Sequence, residues 1–253
     1  MRDALVVADV HDPADVHGVH DSDGLSRWAC LSRRTGLYGG WEAVEWAWLP
    51  AGGVSGEHLH SRTEEVYFLL HGRGEIHLDG RPHAVRAGDA VLTGLGARHA
   101  LHNTGRRPLS WLVVELPAPT RVGAGPYAVP HQSPRSQGES PVTTTPRSAV
   151  VRDLRGHGPL DAAEVLTGPL RTVGVRDLPP HAGVELAARG TEHTVFVLSG
   201  TGTARSADRE VPLASGTALT LPLGGAVRLW AGDGGMEYFH AVLDVPLPEE
   251  GWS

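Results

Sequence analysis

One stretch of this chain decides its fold, Gly56-Glu57-His58-Leu59-His60-Ser61-Arg62-Thr63-Glu64-Glu65-Val66-Tyr67-Phe68-Leu69-Leu70-His71-Gly72. His58 and His60 are two residues apart, so on a β-strand both imidazoles leave the same face, about 7 Å from each other. Glu65 begins an apolar run, Val66 to Leu70, that is typical of a buried strand. Two imidazoles and a carboxylate can converge on one ion. The stretch therefore predicts a metal site.

A second stretch follows downstream, Gly88-Asp89-Ala90-Val91-Leu92-Thr93-Gly94-Leu95-Gly96-Ala97-Arg98-His99-Ala100-Leu101-His102-Asn103. His99 lies after a glycine-rich turn and four residues before Asn103. Together the two stretches resemble the two motifs of the cupin superfamily. The resemblance is specific from about residue 40 to residue 116, and it implies a metal centre built from His58, His60, Glu65 and His99.

Three imidazoles and one carboxylate suit one divalent transition metal, namely Fe(II), Mn(II), Ni(II), Co(II) or Zn(II). Four protein ligands leave two positions open on an octahedral ion, where water, substrate or dioxygen can bind. The alternative, in which the histidines only fill a barrel, would bury these polar groups without compensation at a cost of several kcal/mol. The metal site is therefore the preferred interpretation.

The glycine and proline content indicates many short strands, because 33 glycines and 19 prolines leave little room for long helices. We therefore predict an all-β protein. The resemblance implies two antiparallel β-barrel (jelly-roll, cupin) domains in tandem. We expect an N-terminal barrel with the metal site at residues 1–116, a proline-rich interdomain linker at 117–149, and a C-terminal barrel at 150–253.

An internal repeat supports the second barrel, since Gly200 closes an apolar run as Gly72 does in the first half. The four positions that align with the metal ligands hold one histidine and three apolar residues. They are Leu186 for His58, Ala188 for His60, His193 for Glu65 and Val227 for His99. We therefore predict no metal in the second barrel, whose role would be structural, for example in forming a homodimer or covering the first barrel's mouth.

The composition excludes several classes of function. The net charge of −7 is spread along the chain and none of the 22 basic residues is lysine, which argues against nucleic acid as a partner and rules out a Schiff-base mechanism. Cys30 is the only cysteine, so no disulfide forms within the chain, and a cytoplasmic location is expected. The N-terminus lacks a signal-peptide pattern, and no segment is apolar enough to span a membrane.

Cupins with this ligand set include dioxygenases, oxalate decarboxylases and oxidases, isomerases, cyclases and lyases. The resemblance implies a metal-dependent enzyme whose small oxygen-rich substrate chelates the metal, with a dioxygenase or oxidase, for instance in secondary metabolism, as the leading interpretation. A redox-neutral isomerase, cyclase or lyase is the alternative, and a non-catalytic metabolite-binding cupin is a third.

Catalytic roles are expected for two residues of the first stretch. Glu65 is expected to act as a general base as well as a ligand. Tyr67 shares its strand face and could donate a hydrogen bond or proton to the substrate, or it could be a core tyrosine. Glu64 must point to the opposite face and is left out of the site. The other histidines nearby are expected behind the ligands or at the surface, and His77 is the one to test first, because a strand hairpin in this place often borders a cupin pocket.

Overall fold

The computed structural model describes residues 5–18, 24–117 and 149–245. The regular secondary structure of these ranges is almost entirely strand, with one four-residue helix, α1, at Leu154–His157 and a 3-10 turn at Ala162–Glu164. The all-β prediction is therefore confirmed. Residues 118–148, and with them nearly all of the expected linker, lie outside the described ranges. No described helix has the length and hydrophobicity needed to cross a membrane.

The strands of the described ranges are numbered in chain order. They are β1 Val6–Asp9, β2 Ala14–His17, β3 Leu25–Arg33, β4 Ala43–Leu49, β5 Val54–Leu59, β6 Thr63–His71, β7 Arg73–Leu78, β8 Arg81–Arg86, β9 Asp89–Thr93, β10 Arg98–His102, β11 Leu109–Pro117, β12 Ala149–Asp153, β13 Leu160–Asp161, β14 Leu170–Leu178, β15 Gly183–Ala187, β16 Thr191–Arg205, β17 Glu210–Ala214, β18 Thr217–Leu221 and β19 Ala226–Asp244.

Two antiparallel sheets build the first half of the protein. One has seven strands in the order β12-β9-β6-β11-β4-β3-β2, and the other has four in the order β5-β10-β7-β8. Their facing surfaces share one hydrophobic core, which includes Tyr67 and Trp111 from the larger sheet and Ile76 and Leu101 from the smaller one. The candidate metal ligands lie between these two sheets.

The second half forms one eight-stranded antiparallel sheet with the path β1-β18-β16-β19-β14-β13, to which β15 and β17 are added through β19 and β16. Its interior is a second core that contains Leu186, Ala188 and Val227. These are three of the four positions that the repeat aligned with the metal ligands. The apolar interior expected there from the sequence is present.

A third core joins the two halves, because the outer face of the seven-stranded sheet packs on the eight-stranded sheet. Phe68 of β6 and Phe239 of β19 stack at its centre with ring centroids 4.9 Å apart. This core explains why Val66 to Leu70 is continuously apolar. Alternate residues of β6 face the interior of the first half and the other half of the protein, so both faces of the strand are buried.

Two strands cross between the halves. β1, from the N-terminal region, pairs with β18 of the second half. β12, which follows the expected linker, pairs with β9 of the first half. The sheets therefore do not follow the expected domain boundaries at residues 116 and 150, and these boundaries stay a prediction. Each half of the protein includes one strand from the other half of the sequence.

Two buried carboxylates tie the halves together reciprocally. Glu64 of β6 accepts hydrogen bonds from the Thr167 and Gly168 backbone N–H groups at 2.9 and 2.7 Å. At the matching position of β16, Glu192 accepts hydrogen bonds from the Tyr38 and Gly39 N–H groups at 2.8 and 2.9 Å. Neither side chain is exposed to solvent. Glu64 thus points away from the candidate metal site, as its place in the strand predicts.

Candidate metal centre

Strand pairing brings the candidate ligands together. His58 of β5 and His99 of β10 are paired directly across the smaller sheet. His60 lies just beyond β5, where its N–H donates to the Ala97 carbonyl at 2.9 Å and its own carbonyl accepts from Gly96 N at 2.8 Å. These two bonds fix the end of the HxH segment beside the turn that precedes His99. Glu65 approaches from β6 in the opposing sheet.

The four ligand atoms lie at the distances that one ion requires. The His99 Nε2 atom is 3.0 Å from His58 Nε2 and 3.3 Å from His60 Nε2. The Glu65 Oε2 atom is 3.1 Å from His60 Nε2 and 3.2 Å from His99 Nε2. All four atoms lie within 4.8 Å of one another. Adjacent ligands at about 2.1 Å from an octahedral ion are about 3.0 Å apart, so the cluster fits a single metal.

The far side of each imidazole is held by an oxygen atom. His58 Nδ1 lies 3.2 Å from the Gly56 carbonyl, and His60 Nδ1 lies 3.2 Å from the Thr63 carbonyl. A carbonyl only accepts, so each Nδ1 donates its proton and leaves the lone pair on Nε2. His99 Nδ1 lies 3.0 Å from the Thr93 hydroxyl, which can accept a hydrogen bond from it. This arrangement orients Nε2 towards the cluster, as in protein metal sites.

Glu65 is a buried carboxylate that faces the imidazoles of His60 and His99. Burial alone would raise its pKa, but the facing His60 and His99 rings outweigh burial and hold the pKa well below its usual range. Burial would likewise lower the pKa of His60, but contact with Glu65 raises it. Despite the short distances, Oε2 accepts no hydrogen bond of good geometry from the described residues. A cation would satisfy this orphaned oxygen atom, so the residues present fit a bound metal.

A cavity of about 250 Å³ opens beside the cluster. Its lining includes His58, His60 and Glu65, and it includes Tyr67, whose ring centroid is 4.7 Å from that of His99. Burial, together with the Glu65 charge, raises the pKa of the Tyr67 phenol well above its usual range, so the phenol keeps its proton. The sequence left two roles open for Tyr67, a donor to the substrate or a core tyrosine. Its position is compatible with both, because it lines the cavity and is also a core residue that is 4 % exposed.

Two further carboxylates line the cavity, Glu45 of β4 and Glu115 of β11. Neither was predicted from the sequence to be a site residue. A signal was present, because each is the only charged residue in a strand that is otherwise apolar or neutral. Burial raises the pKa of both carboxyls; the Trp28 and Arg33 side chains lower that of Glu45, and the Thr63 hydroxyl lowers that of Glu115.

His77 does not line this cavity. Its Nε2 atom bonds to the Glu75 carboxylate at 2.7 Å, and its ring stacks on His102 with centroids 4.5 Å apart. These three side chains are half-buried and form a separate group on β7 and β10. His77 therefore lies outside the cavity, because the alternation of β7 turns Ile76, its neighbour, into the core instead.

The second half repeats the backbone of the site without its ligands. Leu186 pairs with Val227 as His58 pairs with His99. Ala188 exchanges the same two backbone hydrogen bonds, with Gly225 and Gly224, that His60 makes with Ala97 and Gly96. His193 Nδ1 meets His240 Nε2 at 3.0 Å. Among the described residues, this pair has no third histidine, cysteine or carboxylate ligand within reach.

Comparison with known proteins identifies the first half. The family described as "Cupin domain" matches residues 46–115. The "Oxalate-binding protein" of Thermotoga maritima is 38% identical over 66 residues, which are 26% of this chain and 54% of that protein. The chain thus spans about half the length of curated relatives such as this one.

Solved structures extend the likeness in fold to nearly the whole chain. YlbA from Escherichia coli superimposes with a TM-score of 0.69 at 11% identity, covering 98% of this chain and 94% of that one. Oxalate decarboxylase from Bacillus subtilis superimposes with a TM-score of 0.66 at 14% identity, covering 95% and 76%. At such identities the likeness establishes the fold alone. Residues 46–115 therefore match a cupin domain, and the fold of nearly the whole chain is that of these solved structures.

Proposed function

We propose that this protein is a metal-dependent cupin enzyme in which His58, His60, Glu65 and His99 hold one divalent transition metal. The observation that carries the proposal is the convergence of three Nε2 atoms on a buried carboxylate oxygen that lacks a hydrogen-bond donor. Such a group of atoms is costly to bury unless a cation lies between them. The donor set suits Fe(II), Mn(II), Ni(II), Co(II) or Zn(II).

A small oxygen-rich metabolite is the proposed substrate, bound in the 250 Å³ cavity with its oxygen atoms towards the ligand cluster. A bound metal would supply Lewis-acid polarisation of a substrate oxygen and, if redox-active, electrons for dioxygen chemistry. Relatives support an oxygen-rich ligand, since the Thermotoga maritima protein is named for oxalate binding.

Two residues in this site would exchange protons or hydrogen bonds with the substrate. Glu65 is buried and held ionised by its imidazole neighbours, so its carboxylate could accept a proton from the substrate. Tyr67 keeps its phenolic proton and lines the cavity, so it could donate a hydrogen bond to a substrate oxygen. The surrounding Trp111 and Val113 side chains exclude water from this wall of the cavity.

An oxidase or dioxygenase remains the leading reaction class, and a redox-neutral isomerase, cyclase or lyase is the second. The two classes use the same ligand set, and they differ in their need for dioxygen. A binding protein without turnover is the third class. The Thermotoga maritima relative supports this class, because it is named for binding and not for a reaction.

Metal analysis followed by oxygen-electrode assays with enols, phenols and keto acids tests the proposal. We expect one ion per chain, lost in His99→Ala, and oxygen uptake that requires the metal. Turnover under strict anaerobiosis with Zn(II) would favour the redox-neutral class instead. A purified protein that holds no divalent ion at micromolar concentration would refute the metal site itself. For Glu65, full turnover in a Glu65→Gln variant that keeps its metal would exclude the role as a base.

A further inference from the structure

Glu45 and Glu115 lie on the same inner surface as the metal ligands. Glu115 is the direct cross-strand partner of Glu65, and Val113, two residues earlier, is paired both with Glu45 on one side and with Tyr67 on the other. Residues paired across strands, and those two apart along a strand, share one face of a sheet. The three carboxylates therefore point into the same cavity, which all of them line.

Neither of the two added carboxylates is needed to hold the fold in the way that Glu64 and Glu192 are. Glu45 is paired with Arg33 at 3.2 Å, on the solvent side, where the Arg33 side chain is 53% exposed. Glu115 interacts with the hydroxyl of Thr63, another lining residue. A carboxylate oxygen can accept more than one hydrogen bond, so both groups keep acceptor capacity for a ligand.

The described residues that line the cavity include three carboxylates and no arginine, and Arg33 meets Glu45 from the solvent side. This is informative in a chain with 22 arginines, because arginine is the usual partner of a carboxylate ligand. A divalent ion and Arg33 would together offset the charges of Glu45, Glu65 and Glu115. A small dianion would still face the Glu45 and Glu115 oxygen atoms, which only accept hydrogen bonds when ionised, so these residues would offer it no donor.

Aromatic side chains form the rest of the wall. Trp28, Tyr67 and Trp111 line the cavity, and the Tyr67 and Trp111 ring centroids are 5.5 Å apart. Aromatic walls favour flat apolar surfaces, which stack on them or meet them edge to face. The volume of about 250 Å³ is below that of sites for drug-sized ligands, and it suits a molecule with a single ring.

We infer that the substrate is a single-ring compound bearing hydroxyl or amine donors, that Glu45 and Glu115 bind these donors, and that the same two carboxylates reject dicarboxylates such as oxalate. The inference rests on the proposed function, because the ring would approach the metal ligands through its oxygen atoms. It assigns to this protein a substrate class different from that in the name of its Thermotoga maritima relative.

Calorimetric titration of the Zn(II)-loaded protein with pyrogallol and with oxalate tests the inference. Both probes can chelate through two oxygen atoms, and pyrogallol adds a ring and a third hydroxyl that is free to donate. The wild type is compared with the Glu45→Gln/Glu115→Gln double variant and with Glu210→Gln, which removes an exposed carboxylate in the second half. Zinc content is measured before and after each titration, and the titrations are anaerobic.

The ratio of the two dissociation constants is the readout, because the ion's own preference for either probe cancels between variants. We expect the double variant to bind pyrogallol more weakly and oxalate more tightly, changing the ratio by about tenfold or more, while Glu210→Gln leaves it unchanged. A change in the ratio of less than threefold would overturn the inference and leave the proposed function standing. A wild type that holds zinc but binds neither probe would do the same. Failure to load zinc would instead refute the proposed function. Each single glutamine variant provides the same readout if the double variant does not fold.

Discussion

Replacing Glu192 by glutamine should destabilise the protein far more than the same replacement of Glu64, although both carboxylates are fully buried between the halves. The difference arises from the donors that each oxygen atom satisfies. Glu192 Oε1 accepts from Tyr38 N and Leu223 N, at 2.8 and 3.1 Å. Its Oε2 accepts from Gly39 N and Trp41 Nε1, both at 2.9 Å.

A glutamine at position 192 can accept through one oxygen only. Whichever way the amide is turned, its NH₂ group faces two of the four donors, which then stay buried without an acceptor. Each such donor costs about 1–3 kcal/mol, and the two remaining bonds lose their charge-assisted strength. We therefore expect Glu192→Gln to lower the free energy of unfolding by about 3–5 kcal/mol.

Glutamine at position 64 leaves no buried donor without an acceptor. The Glu64 Oε2 atom accepts from Gly168 N at 2.7 Å and from Thr167 N at 3.0 Å, and an amide oxygen there keeps both bonds. The other oxygen accepts from the Thr167 hydroxyl at 2.8 Å, and a hydroxyl can turn to accept from an NH₂ group instead. The charge is lost, together with the second acceptor of the Thr167 N–H, which the other carboxylate oxygen provides at 2.9 Å, so the expected cost is about 1 kcal/mol.

Urea unfolding followed by tryptophan fluorescence measures both changes, with EDTA present so that no bound metal adds to stability. The dependence of the unfolding free energy on urea should be unchanged in all variants, because the surface exposed on unfolding is the same. The exposed Glu210→Gln serves as the control. If Glu64→Gln proves as costly as Glu192→Gln, or if Glu192→Gln costs less than about 1 kcal/mol, the donor count does not explain the role of these residues.

Three further predictions concern the metal centre, the second half and a turn. Zn(II) at a hundredfold excess over its dissociation constant should raise the free energy of unfolding of the wild type, measured with urea, by about 2.7 kcal/mol. His60→Ala should abolish this stabilisation. If the variant is still stabilised, the ion binds elsewhere. Replacing both His193 and His240 by alanine should leave the metal content at its wild-type value, and mass spectrometry under native conditions would expose any loss. Gly72 has a φ of +86° and an added Cβ would lie 2.6 Å from a backbone oxygen, whereas Gly52 has a φ of +76° and open space. Thermal unfolding should therefore show Gly72→Ala costing more than the roughly 1 kcal/mol expected of Gly52→Ala, and equal costs would contradict the steric argument.

The fold class and the place of the candidate site could be predicted from local patterns. His58 and His60 needed only the two-residue period of a strand to share a face, and Glu64 needed only that period to be excluded from the site. The repeat identified Leu186 and Val227 as the counterparts of His58 and His99, and the strand register pairs them in the same way. The role of the four residues as metal ligands stays a prediction.

Other features depend on contacts between distant parts of the chain. His77 lies on a hairpin of the kind that often borders a cupin pocket, but the strand turns Ile76 inwards and leaves His77 with Glu75 and His102. The crossing of β1 and β12 between the halves left no local signal, since an edge strand can pair with either sheet.

The sequence by itself determined which side chains can bind a metal, because ligand type and strand period are local properties. Only the tertiary structure decided what surrounds that centre. Glu45 and Glu115 are in strands that come 20 residues before Glu65 and 50 after it, and the register of β4, β11 and β6 makes them neighbours. Register is set by which faces are buried against the second half, and that burial joins residues no local pattern connects.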